Sequence, residues 1–151
     1  VGEILSRDTR PRSMKAPYHE HRLRVRYAET DQMGVVHHRN YLVYLEESRT
    51  SLMRERGCSY AELERKGWAL PVRRVEIRYR APAYYEEELA VRTRIARIGN
   101  ASITFESEVV RVCDEVLLAS GSIELACIRK DAVVRRPVPL PPEILGLLDA
   151  S

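Results

Sequence analysis

The residues between 27 and 41 bring together several side chains that could take part in catalysis. Asp31 and Gly34 lie in a polar turn, and His37 and His38 follow this turn directly before a long amphipathic segment. A carboxylate can act as a nucleophile or as a general base, and a histidine can transfer protons. If the amphipathic segment is a helix, the N–H groups of its first turn can stabilise a developing negative charge. This stretch is therefore predicted to form part of the active site of an enzyme.

Each of these residues also has a purely structural interpretation. A lone aspartate in a turn, such as Asp31, commonly forms an Asx turn. Tyr27 could be a core residue or could supply a hydroxyl group to a pocket, and His38 could cap or orient the helix without reacting. His37 could line the wall of a pocket. A metal site at Asp31 and the two histidines is not expected, because adjacent side chains diverge and no third ligand is evident.

Two elements must position this stretch, a strand before it and a helix after it. Residues 21–28 alternate between apolar side chains and arginines, which predicts a half-buried strand. Asn40 is a suitable cap for a helix over residues 40–56, and Gly57 is typical of its C-terminal end. Helical spacing gives this helix a broad apolar face, which needs packing partners on several sides. The predicted face contains Tyr41, Leu42, Leu45, Ser48, Leu52 and Met53.

From Trp68 onward the hydrophobic period changes from helical spacing to strict alternation. A short helix over residues 59–66, with Ser59 as its cap, is predicted just before this change. Gly99-Asn100 is typical of a tight hairpin turn, and Gly121 indicates a bulge or bend. This element order predicts an α+β fold in which a curved antiparallel sheet wraps around one central helix. The four predicted strands lie at 70–80, 88–98, 101–112 and 116–129.

Length and composition are typical of one ordinary globular domain. The chain has 151 residues, of which 44% are hydrophobic and 31% are charged, and this length can bury a sizeable core. We expect a flexible N-terminal tail over residues 1–17 and a single domain over residues 18–151. No apolar run approaches the roughly 20 residues that cross a bilayer, and no signal core is present, which predicts a cytoplasmic protein without a membrane span.

Charge and cysteine usage exclude some functions. The net charge is only +3 and there is no long basic run, so a nucleic-acid partner is not expected. Cys58, Cys113 and Cys127 are far apart and lack the spacing of a zinc site, so they are interpreted as ordinary thiols in a reducing compartment. Glu46 and Arg49, three residues apart on the predicted helix, are expected to form a structural ion pair.

The stretch Tyr27-Ala28-Glu29-Thr30-Asp31-Gln32-Met33-Gly34-Val35-Val36-His37-His38-Arg39-Asn40-Tyr41 resembles the signature of the hotdog-fold acyl-CoA thioesterases. The likeness is greatest to the 4-hydroxybenzoyl-CoA thioesterase/YbgC-type subfamily, and it covers roughly residues 20 to 135. It implies a hotdog fold, with a five-stranded antiparallel sheet around one long helix. Further matching positions are Tyr44, Glu46, Ser48, Arg49, Pro71-Val72, Val75 to Tyr79, Ala81-Pro82-Ala83 and Glu86 to Glu88.

The resemblance implies an enzyme that hydrolyses acyl-CoA thioesters without a metal or a separate cofactor. Asp31 falls on the position of the catalytic carboxylate, as nucleophile or as general base, and His38 on that of the residue whose backbone N–H polarises the thioester carbonyl group. Tyr27 matches an active-site tyrosine. The residues expected to bind substrate are Gly34, Val36, His37, Asn40 and Tyr41. The subfamily usually has an aromatic residue at the position of His37, which affects the expected acyl preference.

The same resemblance implies a homodimer that pairs into a homotetramer, with active sites at the dimer interface. Two other functions remain open, a non-catalytic acyl-CoA-binding module and a hotdog hydratase or dehydratase. The acyl group is also open, as is the choice between coenzyme A and an acyl-carrier protein as the carrier. Candidates by composition for binding the phosphates of coenzyme A are Arg73, Arg74, Arg78, Arg97 and Arg129.

Overall fold

The computed structural model describes residues 14–148. The part of the predicted tail that precedes residue 14 lies outside the described residues. The elements are β1 (His19–Arg24), α1 (Asn40–Glu55), α2 (Tyr60–Arg65), β2 (Trp68–Ala69), β3 (Val72–Tyr79), β4 (Glu88–Ile98), β5 (Ser102–Arg111), β6 (Leu117–Ala126), β7 (Ile128–Arg129) and α3 (Pro142–Leu145). The five long strands form one antiparallel sheet in the order β1-β4-β5-β6-β3, and β2 pairs with β7 in a separate ribbon.

Helix α1 packs on the inner face of the sheet, and buried hydroxyl groups join the two layers. The Ser48 hydroxyl donates to the carbonyl oxygen of Val91 at 3.1 Å and lies 2.7 Å from the Thr93 hydroxyl. The Thr93 hydroxyl in turn lies 2.7 Å from that of Ser107. Because all three side chains are buried, this chain of hydrogen bonds satisfies polar groups that would otherwise be costly in the core. The predicted α+β architecture with a five-stranded antiparallel sheet is confirmed.

Gly121 does not form the predicted bulge. It pairs regularly with Ile77 on β3 and Ser107 on β5. A Cβ atom at this position would lie 3.0 Å from the carbonyl oxygen of Glu76 and 3.1 Å from Cδ2 of Leu45. The absence of a side chain therefore lets α1 approach the sheet closely, which is a different use of glycine in a strand.

Two details of the predicted α1 are wrong. Asn40 is not the cap but the first helical residue, since Arg39 occupies the cap position. The Asn40 side chain instead donates to the carbonyl oxygen of Glu29 at 2.7 Å. Leu42 is 40% exposed, whereas Tyr44 is 1% exposed, because the sheet contacts the side of the helix that carries Tyr44.

The first strand is shorter than the alternation predicts. β1 ends at Arg24, and Tyr27–Glu29 forms a single 3-10 turn that leads into the Asp31 turn. Tyr27 is 77% exposed as a result. The chain therefore leaves the sheet before the Asp31 turn, which precedes the N-terminal end of α1.

Candidate active site

Asp31 closes a tight turn through its own backbone and side chain. The Gly34 N–H donates to the carbonyl oxygen of Asp31 at 2.9 Å, and the Asp31 N–H donates to that of Val35 at 2.9 Å. Oδ1 of the carboxylate accepts from the Met33 N–H at 2.9 Å and from the Val35 N–H at 3.4 Å. Gly34 has φ +80°, a conformation that glycine adopts without strain. The turn therefore fixes the position of the carboxylate.

The second carboxylate oxygen of Asp31 is left available. Within residues 14–148, no protein group donates a hydrogen bond to Oδ2, and the side chain is half-buried. One oxygen is therefore anchored by backbone amides while the other can accept a proton or attack an electrophile. This combination suits a nucleophile or a general base.

The turn before α1 presents a free backbone N–H group. The His37 N–H donates to the carbonyl oxygen of Glu29 at 2.9 Å, and the Arg39 N–H donates to Nδ1 of His37 at 3.2 Å. The Asn40 N–H donates to the carbonyl oxygen of His37 at 2.9 Å. Of the four consecutive amides from residue 37 to residue 40, only that of His38 has no acceptor in the described part of the chain. It is suited to bind an oxygen that carries negative charge.

Asp31 and His38 line one open cavity of about 360 Å³. Val36 and Tyr41, two of the residues expected to bind substrate, line it as well. The cavity joins the turn, the start of α1 and the end of β3, so its walls come from three separate parts of the chain. The remaining lining residues are Met33, Val35, Tyr79, Arg80, Ala81 and Pro82.

Comparison with known proteins identifies the family to which this chain belongs. The thioesterase-like superfamily matches residues 25–148. This chain belongs to the thioesterase-like superfamily. The match includes the whole Asp31 turn, α1 and every strand of the sheet except β1, which ends at Arg24.

Individual relatives of this thioesterase-like protein match most of its length. YneP of Bacillus subtilis is 36% identical over 110 residues, which span 73% of this chain and 79% of YneP. The acyl-CoA thioester hydrolase YbgC of Escherichia coli O6:H1 is 30% identical over 82% of this chain and 90% of its own. The crystal structure of the hypothetical protein TT1821 from Thermus thermophilus superposes with a TM-score of 0.79 at 38% identity, over 87% of this chain and 97% of that one. The expected hotdog fold is confirmed.

The other predicted site residues of this thioesterase-like protein lie around the cavity without lining it. Gly34 shapes the Asp31 turn, and Asn40 is bonded to the carbonyl oxygen of Glu29. Tyr27 is exposed and contacts the edge of Tyr85, with a distance of 5.5 Å between the ring centroids. These placements leave the roles of the three residues as predictions.

The two histidines do not diverge as expected. The rings of His37 and His38 stack with a centroid distance of 4.2 Å and an interplanar angle of 29°. His38 lines the cavity and His37 does not. Within residues 14–148, no three His, Cys, Asp or Glu side chains are arranged to hold a metal ion.

Tyr79 is a site residue that the sequence did not indicate. Its hydroxyl group donates to the carbonyl oxygen of His38 at 2.9 Å. Its ring meets those of His38 and Tyr41 edge-on, with centroid distances of 6.5 Å and 5.2 Å. Burial raises the pKa of the Tyr79 phenol, so it remains a hydrogen-bond donor at neutral pH. Tyr79 therefore fixes the peptide that follows the free His38 N–H group.

Glu29 is a second residue that sequence reasoning missed. Its buried carboxylate accepts from the Tyr44 hydroxyl at 2.9 Å and from the Arg26 N–H at 2.8 Å. Burial, and then the hydrogen bond to Glu29, raise the pKa of Tyr44, which keeps this hydroxyl group protonated. The backbone oxygen of Glu29 accepts from His37 and Asn40. Glu29 thus links the 3-10 turn, the histidine turn and α1.

The arginines suggested for phosphate binding differ in their availability. Arg73 pairs with Glu124 at 3.0 Å and Arg129 with Asp131 at 3.0 Å. Arg80 was not on the list of candidates, yet it lines the Asp31 cavity. No carboxylate lies within 4 Å of its guanidinium group in the described part of the chain. Arg80 is therefore a free cation beside the candidate site.

None of the described helices combines the length and the apolar character that crossing a membrane requires. The longest of them, α1, has 16 residues and carries charged side chains on its exposed face.

Proposed function

We propose that this protein hydrolyses acyl-CoA thioesters to a free carboxylic acid and coenzyme A. The observation that carries the proposal is that one cavity is lined both by Asp31, whose carboxylate has a free oxygen, and by His38, whose N–H before α1 has no acceptor among the described residues. The names of its relatives support it, since YbgC of Escherichia coli O6:H1 is an acyl-CoA thioester hydrolase.

In this mechanism the thioester carbonyl oxygen accepts a hydrogen bond from the His38 N–H. As the tetrahedral intermediate forms, negative charge grows on that oxygen, and the amide dipoles at the start of α1 stabilise it. Removing one such donor in comparable enzymes costs about 3 kcal/mol of activation free energy. Tyr79 would keep the backbone next to this N–H group in place through its hydrogen bond to the His38 carbonyl oxygen.

Asp31 supplies the attacking group by one of two routes. As a general base it takes a proton from water, whose oxygen adds to the carbonyl carbon, and the proton then passes to the departing thiolate. As a nucleophile it forms an acyl-aspartyl anhydride and releases the thiolate, and water then hydrolyses the anhydride. A thiolate is a good leaving group, so neither route requires a complete catalytic triad.

We also infer that the working enzyme is a homodimer that pairs into a homotetramer and acts in the cytoplasm. β3 is an edge strand of the sheet. Val75 and Tyr79, on its inner face, are 42% and 49% exposed because α1 packs against β4 and β1 instead. A second copy on this edge would bury that apolar surface and complete the wall of the Asp31 cavity, which Tyr79 lines.

The reaction is tested by measuring free thiol released from a panel of acyl-CoAs with short, long and aromatic acyl groups. We expect release of thiol from at least one member, and the preferred member defines the shape of the acyl pocket. Binding of the acyl-CoAs without thiol release would instead favour a binding module. Hydration of an enoyl-CoA without free thiol would favour a hydratase.

A further inference from the structure

Arg49 is a buried cation that lacks a hydrogen-bond acceptor. It lies in the middle of α1 and is 9% exposed. Its Nη1 atom is inaccessible to solvent and has no hydrogen-bond partner among residues 14–148. An arginine side chain presents five N–H donors and stays charged at any physiological pH. A buried guanidinium group without an acceptor is strongly unfavourable, so this position needs a group that the described chain does not supply.

The expected ion pair with Glu46 does not supply the missing hydrogen-bond acceptor for Arg49. The two side chains approach only to 3.9 Å, between Nη2 of Arg49 and Oε2 of Glu46, which is too long for a hydrogen bond. The Glu46 side chain is 67% exposed and is therefore well solvated. Burial lowers the pKa of Arg49, and the attraction of Glu46 offsets this only in part.

Arg49 lines a cavity of about 230 Å³ between α1, α2 and the β3 side of the sheet. Tyr60 lines the same cavity, and its hydroxyl oxygen accepts from the Leu70 N–H at 3.2 Å. The Tyr60 hydroxyl proton has no acceptor in the described part of the chain. Two side chains that carry a donor without an acceptor, Arg49 and Tyr60, therefore line the cavity, beside an apolar wall formed by Met53, Leu70, Val72 and Leu125.

We propose that this cavity is a binding site for a monocarboxylate with a small apolar body. A carboxylate matches the fork of a guanidinium group and can also accept from a phenol. The apolar wall suits a hydrocarbon or aromatic ring, and Glu46 at the rim opposes a ligand of higher negative charge, such as a phosphate. The site is separate from the candidate active site, since the two cavities share no lining residue.

The test is thermal unfolding of the full chain with benzoate or hexanoate, and with benzamide as the uncharged control. At ten times the dissociation constant, the carboxylates are expected to raise the unfolding temperature by about 4 °C, whereas benzamide has no effect. Arg49→Met keeps the length and apolar stem of the side chain and should abolish the shift. Arg80→Met, the matched change in the Asp31 cavity, should retain it.

Two further variants sharpen the assignment. Glu46→Gln removes the neighbouring negative charge and should tighten carboxylate binding about twofold to fivefold. Tyr60→Phe removes the second donor and should weaken binding about threefold to tenfold. This second variant also tests the site if Arg49→Met does not give folded protein.

The proposal is overturned if Arg49→Met retains the carboxylate shift, or if benzamide stabilises the wild type equally. It is also overturned if Arg49→Met has a smaller assembly mass in sedimentation, because a second copy would then supply the acceptor. Without ligand, Arg49→Met should unfold at a higher temperature than the wild type, since it removes an unpaired buried charge. A lower unfolding temperature would mean that Arg49 is already satisfied, and would equally overturn the proposal. None of these results depends on thioester hydrolysis.

Discussion

At the scale of single residues, the candidate site depends on hydrogen bonds that hold the backbone on both sides of His38 in position. Tyr79 donates to the carbonyl oxygen of His38, which belongs to the peptide group that follows the one with the free His38 N–H. The backbone oxygen of Glu29 accepts from the His37 N–H and from the side-chain amide of Asn40. Such residues act through the backbone rather than on the substrate, so their loss should weaken the stabilisation of the oxyanion without removing the attacking group.

Tyr79→Phe tests the contact between β3 and the His38 peptide. The variant removes one hydroxyl group and retains the aromatic ring, so the packing against Tyr41 is preserved. We expect kcat for thioester hydrolysis to fall about threefold to tenfold, which corresponds to the loss of one hydrogen bond, with KM nearly unchanged. An unchanged kcat, measured by thiol release, would show that Tyr79 does not position the turn.

Glu29→Ala tests the buried carboxylate between the 3-10 turn and α1. The variant leaves the Tyr44 hydroxyl and the Arg26 N–H without their acceptor. The free energy of unfolding in urea is expected to fall by about 1–3 kcal/mol. In the double variant with Tyr44→Phe, part of this loss should be recovered, because the orphaned hydroxyl group is then absent. Strict additivity of the two changes would contradict a direct interaction.

The chemistry of the site could be predicted from one contiguous stretch, but its supports could not. Asp31, Gly34 and His38 lie within eight positions of one another, so their proximity follows from the chain itself. Tyr79 is 41 residues beyond His38, and only the fold brings the end of β3 next to the turn that precedes α1. Glu29 resembles any other acid in a polar turn until its burial is known.

At the scale of elements, the fit between α1 and the sheet depends on Gly121. The strand pairs regularly at this point, and Leu45 occupies the space that a side chain would take. The alternation of the sequence predicted β4 to the residue, because its inward face is continuously apolar or hydroxylic. The same alternation could not distinguish a bulge from a close approach at Gly121, since both favour glycine.

Gly121→Ala tests this packing. The added methyl group would lie 3.0 Å from a backbone oxygen and 3.1 Å from Leu45, so we expect a loss of about 1–3 kcal/mol in the free energy of unfolding. Gly146→Ala is the matched control, because nothing lies within 4 Å of its Cβ position and its φ of −65° suits alanine. Equal stability of the two variants in urea unfolding would contradict the close approach.

At the scale of the whole molecule, the exposed inner face of β3 indicates where a second copy would bind. Its edge is unpaired in the sheet, and its apolar side chains lie beside the Asp31 cavity. The resemblance implied a dimer, but the sequence alone could not predict which part of the sheet α1 leaves uncovered. That surface follows from the way α1 packs on β4 and β1.

Val75→Glu tests the dimer across β3. The new charge would be buried in a second copy's interface, so we expect the mass in sedimentation velocity to fall from a multiple of 17.4 kDa towards 17.4 kDa. Val133→Glu is the control, since Val133 is fully exposed. A wild type that sediments as a monomer, or a Val75→Glu protein of unchanged mass, would contradict this interface.

The measurement that bears most directly on the central claim compares the wild type with Asp31→Asn in thiol release from the preferred acyl-CoA. Asparagine preserves the size of the side chain and an oxygen that can accept from the Met33 N–H, so the turn should remain intact. We expect kcat to fall by at least about a thousandfold, because an amide can neither attack the carbonyl carbon nor accept a proton from water at neutral pH. The unfolding temperature should remain close to that of the wild type. A folded Asp31→Asn protein that retains most of its activity would contradict the account.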